Sequence, residues 1–75
     1  MIFMKTSYVI EEVFSSGETE IIERVYTIED VHKILTDITD NNYLMADYKI
    51  NSFAKILHYF TPDRQRYFNI HILED

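Results

Sequence analysis

The chain has no cysteine, no tryptophan, one glycine and one proline in 75 residues. Without cysteine there is no disulfide, no thiolate nucleophile and no cysteine-based zinc site. The staples of a small secreted scaffold are therefore missing, and the cytosol is the expected compartment. No apolar run approaches the roughly 20 residues of a membrane span. Met1 to Lys5 also lack the basic region and cleavage site of a signal peptide. A single glycine leaves no loop to cradle a phosphate, and the serines lack the glycine-flanked setting of a nucleophile elbow. With only Gly17 and Pro62 as interruptions, most of the chain should be regular structure with short connections.

What is abundant is apolar and aromatic. Six tyrosines and five phenylalanines exceed what one side of one small sheet needs to cover, so some belong on a second face or an interface, and a homodimer is one expectation. A chain of this size buries only about 60% of its unfolded surface and cannot divide that between two cores. Residues 1–75 are read as one domain.

Charge is split along the chain. Residues 11 to 47 carry ten acids against Arg24 and Lys33, net −8, whereas 48 to 73 carry Lys49, Lys55, Arg64 and Arg66 against Asp63, net +3. A small protein with a strong field and few residue types for chemistry points to binding rather than catalysis.

Met4 to Phe14 and Thr19 to Tyr26 are rich in β-branched and aromatic residues and flank Ser15-Ser16-Gly17-Glu18, which predicts a β-hairpin. If Phe14 faces Thr19, the core face carries Tyr8, Ile10, Phe14, Ile21 and Val25, and the outer face carries Val9, Glu11, Val13, Glu20, Ile22 and Arg24. A helix follows. Thr27 sits three residues before Asp30 as in a capping box, Tyr26 and Val31 occupy staple positions, and Ile28, Val31, Leu35 and Ile38 form an apolar stripe that ends before Asp40-Asn41-Asn42. Ile50, Phe53, Ala54 and Leu57 would also fit a helical stripe capped by Ser52. Strands are preferred, because Thr61 to Gln65 is turn chemistry and Phe68-x-Ile70-x-Ile72 alternates after it. Lys55 to Phe60 should pair with that strand, and Asp47 to Asn51 should form a further short one. The expected fold is α+β, a single helix packed on an antiparallel sheet in the order β-β-α-β-β-β.

Candidates for chemistry are few. His32 has no partner at metal-binding helical spacing, and His58 and His71 meet only in one register of the second hairpin, so no metal or other cofactor is expected. Glu11 and Glu12 are adjacent on a strand and point to opposite faces, which removes them as a catalytic pair. No catalytic residue is assigned, and the chain is read as a non-enzyme. Two surfaces remain. Glu11, Glu18, Glu20, Glu29, Asp37 and Asp40 could form an acidic surface that docks a basic protein partner, the groove of a nucleic-acid-binding complex for example, by mimicking the charge of DNA. Alternatively, Lys55, Arg64, Arg66 and Tyr67 on the terminal hairpin have the composition of a strand surface that stacks bases and contacts phosphates. The overall acidity makes direct nucleic-acid binding the second choice.

The opening Met4-Lys5-Thr6-Ser7-Tyr8-Val9-Ile10-Glu11-Glu12-Val13, followed by a helix and the aromatic-basic stretch Tyr59 to Phe68, resembles small phage-encoded anti-CRISPR proteins, in particular a type I-F inhibitor family. The likeness covers the first strand and, more loosely, that terminal hairpin. It implies a non-enzymatic inhibitor that occupies backbone subunits of a surveillance complex and blocks target DNA. The chain departs from that family in charge, with acids in place of much of the basic surface, so no binding residue is carried over.

Overall fold

The computed structural model describes residues 5–50 and 55–74, the backbone alone for 44–50. Five strands and one helix follow one another as β1 (Thr6–Val13), β2 (Thr19–Val25), α1 (Ile28–Thr39), β3 (Leu44–Ile50), β4 (Lys55–Phe60) and β5 (Tyr67–Glu74). The strands form one antiparallel sheet in the order β2-β1-β5-β4-β3, and α1 covers one face. This is the α+β order expected from the sequence. The third strand begins earlier than Asp47, at Leu44, and Lys55 to Leu57 are strand rather than helix. Ile50 likewise ends a strand, while Phe53, Ala54 and the cap Ser52 of the alternative helical stripe lie outside the described residues.

The core is where the alternating faces of β1, β4 and β5 meet α1. Ile10, Phe68 and Ile70 from the sheet and Val31 and Leu35 from the helix are fully buried, with Val25 and Tyr59 beside them. Ile28, Ile34 and Ile38 flank this stripe. Burial of each such side chain is worth about 1.5–3 kcal/mol. Thr27 starts the helix with an extended backbone, and its hydroxyl accepts the amide N–H of Asp30 at 3.1 Å. That satisfies one of the amides a helix N-terminus leaves without a partner. Tyr26 remains 63% exposed, so the expected staple to Val31 contributes little cover. At the other end Asp40 and Asn41 take left-handed conformations and both donate their backbone N–H to the Thr36 carbonyl, closing the helix where the Asp-Asn-Asn run placed its stop. Beyond it, Tyr43 stacks on His32 and meets Tyr59 edge-on, its hydroxyl 3.0 Å from His32 Nδ1. Burial, with Tyr43 nearby, pushes the Tyr59 hydroxyl pKa up.

The first hairpin corrects the expected register. Gly17, at φ +92°, donates to the Phe14 carbonyl, and the Phe14 amide donates to Glu18, so the loop is three residues long and Val13, not Phe14, faces Thr19. An irregularity between Ile10 and Glu11 then restores the anticipated pairing of Tyr8 with Val25. Only the segment between turn and bulge is displaced. There Ile21 turns outward and is 58% exposed, while Ile22 packs against the core, the reverse of the expectation. Phe14 is also exposed rather than buried.

Candidate interaction surfaces

Strand alternation sends Glu11 and Glu12 to opposite faces, and each is met there by residues more than fifty positions away. Glu12 points to the helix side, is 8% exposed, and accepts a bidentate pair from Arg66, Nε to Oε2 at 2.9 Å and Nη2 to Oε1 at 2.8 Å. The remaining guanidinium nitrogen, Nη1, donates to the Ile38 carbonyl at 2.6 Å, and the group lies over the Phe68 ring. Arg66 therefore joins β5, β1 and the helix C-terminus. Its backbone N–H is held by the buried Thr61 hydroxyl, which in turn donates to Asp63. Such a fork matches the geometry that only arginine offers a carboxylate.

On the uncovered face, Glu11 Oε1 lies 2.9 Å from His71 Nε2 and accepts from Asn69 Nδ2 at 3.3 Å. The His71 hydrogen bond, helped by Asn69 and Thr19 and opposed by burial, holds the Glu11 pKa below its ordinary value. His58 faces Asn69 across the ladder, and His71 faces Ile56. The two histidines are thus diagonal neighbours, roughly 7–8 Å apart by sheet geometry. Among the described residues no group of three or more His, Asp or Glu side chains is disposed to hold a metal ion. The buried Nε2 of His58 has no hydrogen-bond partner among them.

The six acids singled out from sequence do not form one surface. Glu29, Asp37 and Asp40 lie exposed on α1, with Lys33 one turn from both Glu29 and Asp37. Glu20 lies opposite Glu12 in the ladder and so projects to the helix side, with Glu18 beside it at the turn. Glu23 joins this set, because it faces the buried Ile10. The Arg66 link between Glu12 and Ile38 brings the hairpin turn and the helix C-terminus to one end of the molecule. There Glu18 and Glu20 share a region with Asp37 and Asp40. Glu11 stands apart on the opposite face.

The four hairpin residues are divided as well. Arg66 is committed to Glu12, and Lys55 pairs with Glu74 at 3.3 Å. Arg64 and Tyr67 belong to the uncovered face, where the Arg64 guanidinium sits 4.8 Å over Phe60, whose ring stacks with Tyr67. Asn69 is not singled out by the sequence, and His71 is considered there only as a metal ligand. The alternation opposite Phe68-x-Ile70-x-Ile72 is the signal that could have placed Tyr67, Asn69 and His71 together. Among the described residues no helix is long and apolar enough to cross a membrane. Compared with known proteins, the chain matches no family model, no curated protein and no solved structure.

Proposed function

We propose that the chain is a non-enzymatic binding protein whose acidic helix side docks on a basic, nucleic-acid-binding protein surface, as an anti-CRISPR-like inhibitor from a phage or mobile element would do to keep target DNA from a host defence complex. The observation that supports this reading is that Glu18, Glu20, Asp37 and Asp40 are all exposed, the first two at the hairpin turn and the others at the helix C-terminus, with Glu23 and Glu29 exposed further along β2 and α1. A field of one sign accelerates encounter with a surface of the other and fades with salt.

Single exposed charges contribute only about 0–1 kcal/mol each, so the test reverses several together. Glu18, Glu20 and Asp37 changed to lysine should slow association with a purified type I-F surveillance complex and restore its binding to target duplex. Raising salt on the unaltered protein should mimic this. If the protein leaves DNA binding by the complex unchanged, or if the triple reversal inhibits as well as the parent, the acidic-surface reading fails.

A further inference from the structure

The sheet face opposite the helix has a different character from the helix side. Strand parity places Arg24, Val9 and His71 in one row across it, and Val13, Tyr67 and Phe60 in another. Near the Tyr67 end, the Arg64 guanidinium, the Phe60 ring and the Tyr67 ring follow one another as a ladder of flat groups, with Tyr67 43% exposed. At the opposite end, an open pocket of about 590 Å³ is lined, among the described residues, by Lys5, Thr6, Ser7, Arg24 and Tyr26. Lys5 and Arg24 supply the two cations of this lining. Between the two ends lie six residues of β1, about 20 Å at strand rise. Among the described side chains, the carboxylate on the floor between them is Glu11, held by His71 and Asn69. Asp63, in the turn beside Arg64, is occupied by Thr61 and the Gln65 amide.

We infer that this uncovered sheet face binds a short single-stranded nucleic acid, with bases stacking at Tyr67, Phe60 and Arg64 and a backbone phosphate in the Lys5–Arg24 pocket. An aromatic and cationic cluster at one end and two cations at the other complement a flexible polyanion. They disfavour a second copy seated face to face, because a two-fold pairing of this face must accommodate both sets of cations. The net charge of −6 does not decide the matter. Even the smallest dimension of the molecule, 19 Å, is about two Debye lengths at 0.1 M salt, so the carboxylates of the helix are largely screened from a ligand on the far face. The backbone at Arg64 adds a second indication. Its φ of +60° is one that glycine takes without cost, yet an arginine is held there with its guanidinium over Phe60. This inference is independent of the acidic-surface proposal, and its test contains no protein partner.

The test is fluorescence anisotropy with labelled oligo-dT and oligo-U of about eight nucleotides, near the lower end of the site sizes small β-domains cover. A duplex of equal length serves as control. Saturable single-strand binding with a dissociation constant of order 10–100 µM is expected, and log K should fall with log salt at a slope of about −1.4 for the two pocket cations at roughly −0.7 each. Tyr67→Ala should weaken binding about fivefold or more through lost stacking. Arg24→Gln combined with Arg64→Gly should weaken binding and bring the slope toward about −0.7. Arg64→Gly also relieves the left-handed backbone, so its urea midpoint should hold or rise and a binding loss cannot be ascribed to unfolding. Glu20→Gln with Asp37→Asn, on the other side, should not weaken binding. The inference is overturned by the absence of saturable binding, by variants that bind as the parent does, by preference for duplex, or by light scattering that shows a dimer at the concentrations used which Tyr67→Ala dissociates.

Discussion

Removing the Arg66 guanidinium should be among the most damaging single changes in this protein, although sequence places it on an exposed hairpin. Arg66→Ala strands the Glu12 carboxylate, whose side chain retains only 10% of its surface, and leaves the Ile38 carbonyl without its donor. Breaking a fully buried ion pair from one side costs about 3–5 kcal/mol. The Arg66 side chain keeps 38% of its surface, so solvent can partly replace it. A loss of about 2–3 kcal/mol remains after that discount. The stability of a chain this long is roughly 4–11 kcal/mol at the usual value per residue, so such a loss is a large fraction of the whole. Urea unfolding followed by far-ultraviolet circular dichroism would read it as a midpoint lowered by about 2–3 M, for a slope near 1 kcal/mol per molar. Arg66→Lys should recover only part, because an ammonium cannot bind both carboxylate oxygens and the helix carbonyl together.

The decisive comparison is the double variant Glu12→Gln/Arg66→Ala. If the cost comes from a stranded charge, removing that charge should return about 1–2 kcal/mol, within the range seen for directly contacting residues. A loss below about 0.5 kcal/mol for Arg66→Ala, which is ordinary surface behaviour, would refute this account. So would a double variant whose loss equals the sum of the two single losses.

Leu35→Ala should cost about 2–5 kcal/mol in the same assay, since Leu35 is fully buried at the centre of the helix stripe; a loss of a few tenths would place it outside the core. Thr27→Ala should cost about 0.5–2 kcal/mol by leaving the Asp30 amide without its acceptor, and Thr27→Asn should restore most of that. Glu11→Gln should destabilise at neutral pH. Because the folded-state pKa of Glu11 lies below its ordinary 4.5, its contribution is present above about pH 4.5 and is lost as pH falls through the folded value. The gap between variant and parent should therefore narrow as pH falls below 4.5, and a gap that stays constant with pH would show that the hydrogen bonds from His71 and Asn69 do not set this pKa.

The elements that rest on local chemistry were legible. Thr27 with Asp30, the stripe from Ile28 to Ile38 and the Asp40-Asn41 stop each act within a few residues, and the helix occupies those bounds. Gly17 marked the first turn correctly, but its loop could close with three residues or four, and composition does not distinguish them. The bulge after Ile10 then hides the difference, since the pairing of Tyr8 with Val25 is the same in both registers. Hence Tyr8, Ile10 and Val25 were placed correctly and Ile21 and Ile22 were exchanged. The candidate surfaces were less legible because their assembly is non-local. Glu12 to Arg66 and Glu11 to His71 span 54 and 60 residues, distances at which spacing carries no information until β1 and β5 are known to pair.

That pairing changes the meaning of the charge pattern along the chain. A run of acids in sequence is not a surface when it passes through a strand, because alternate residues leave on opposite faces. The segment from residue 11 to 47 gives Glu12 to an internal fork and Glu11 to the far side and, among the described side chains, delivers its remaining exposed carboxylates to the helix side and the β2 edge. The basic segment is partitioned by the same rule, with Arg66 inward and Arg64 outward. A division that runs along the sequence thus becomes a division across the sheet. Glu11 serves as an internal control for it. If Glu11→Lys impaired a partner's binding as strongly as Glu20→Lys while leaving stability intact, the partner would have to contact both faces, and neither the acidic helix side nor the opposite sheet face could act alone.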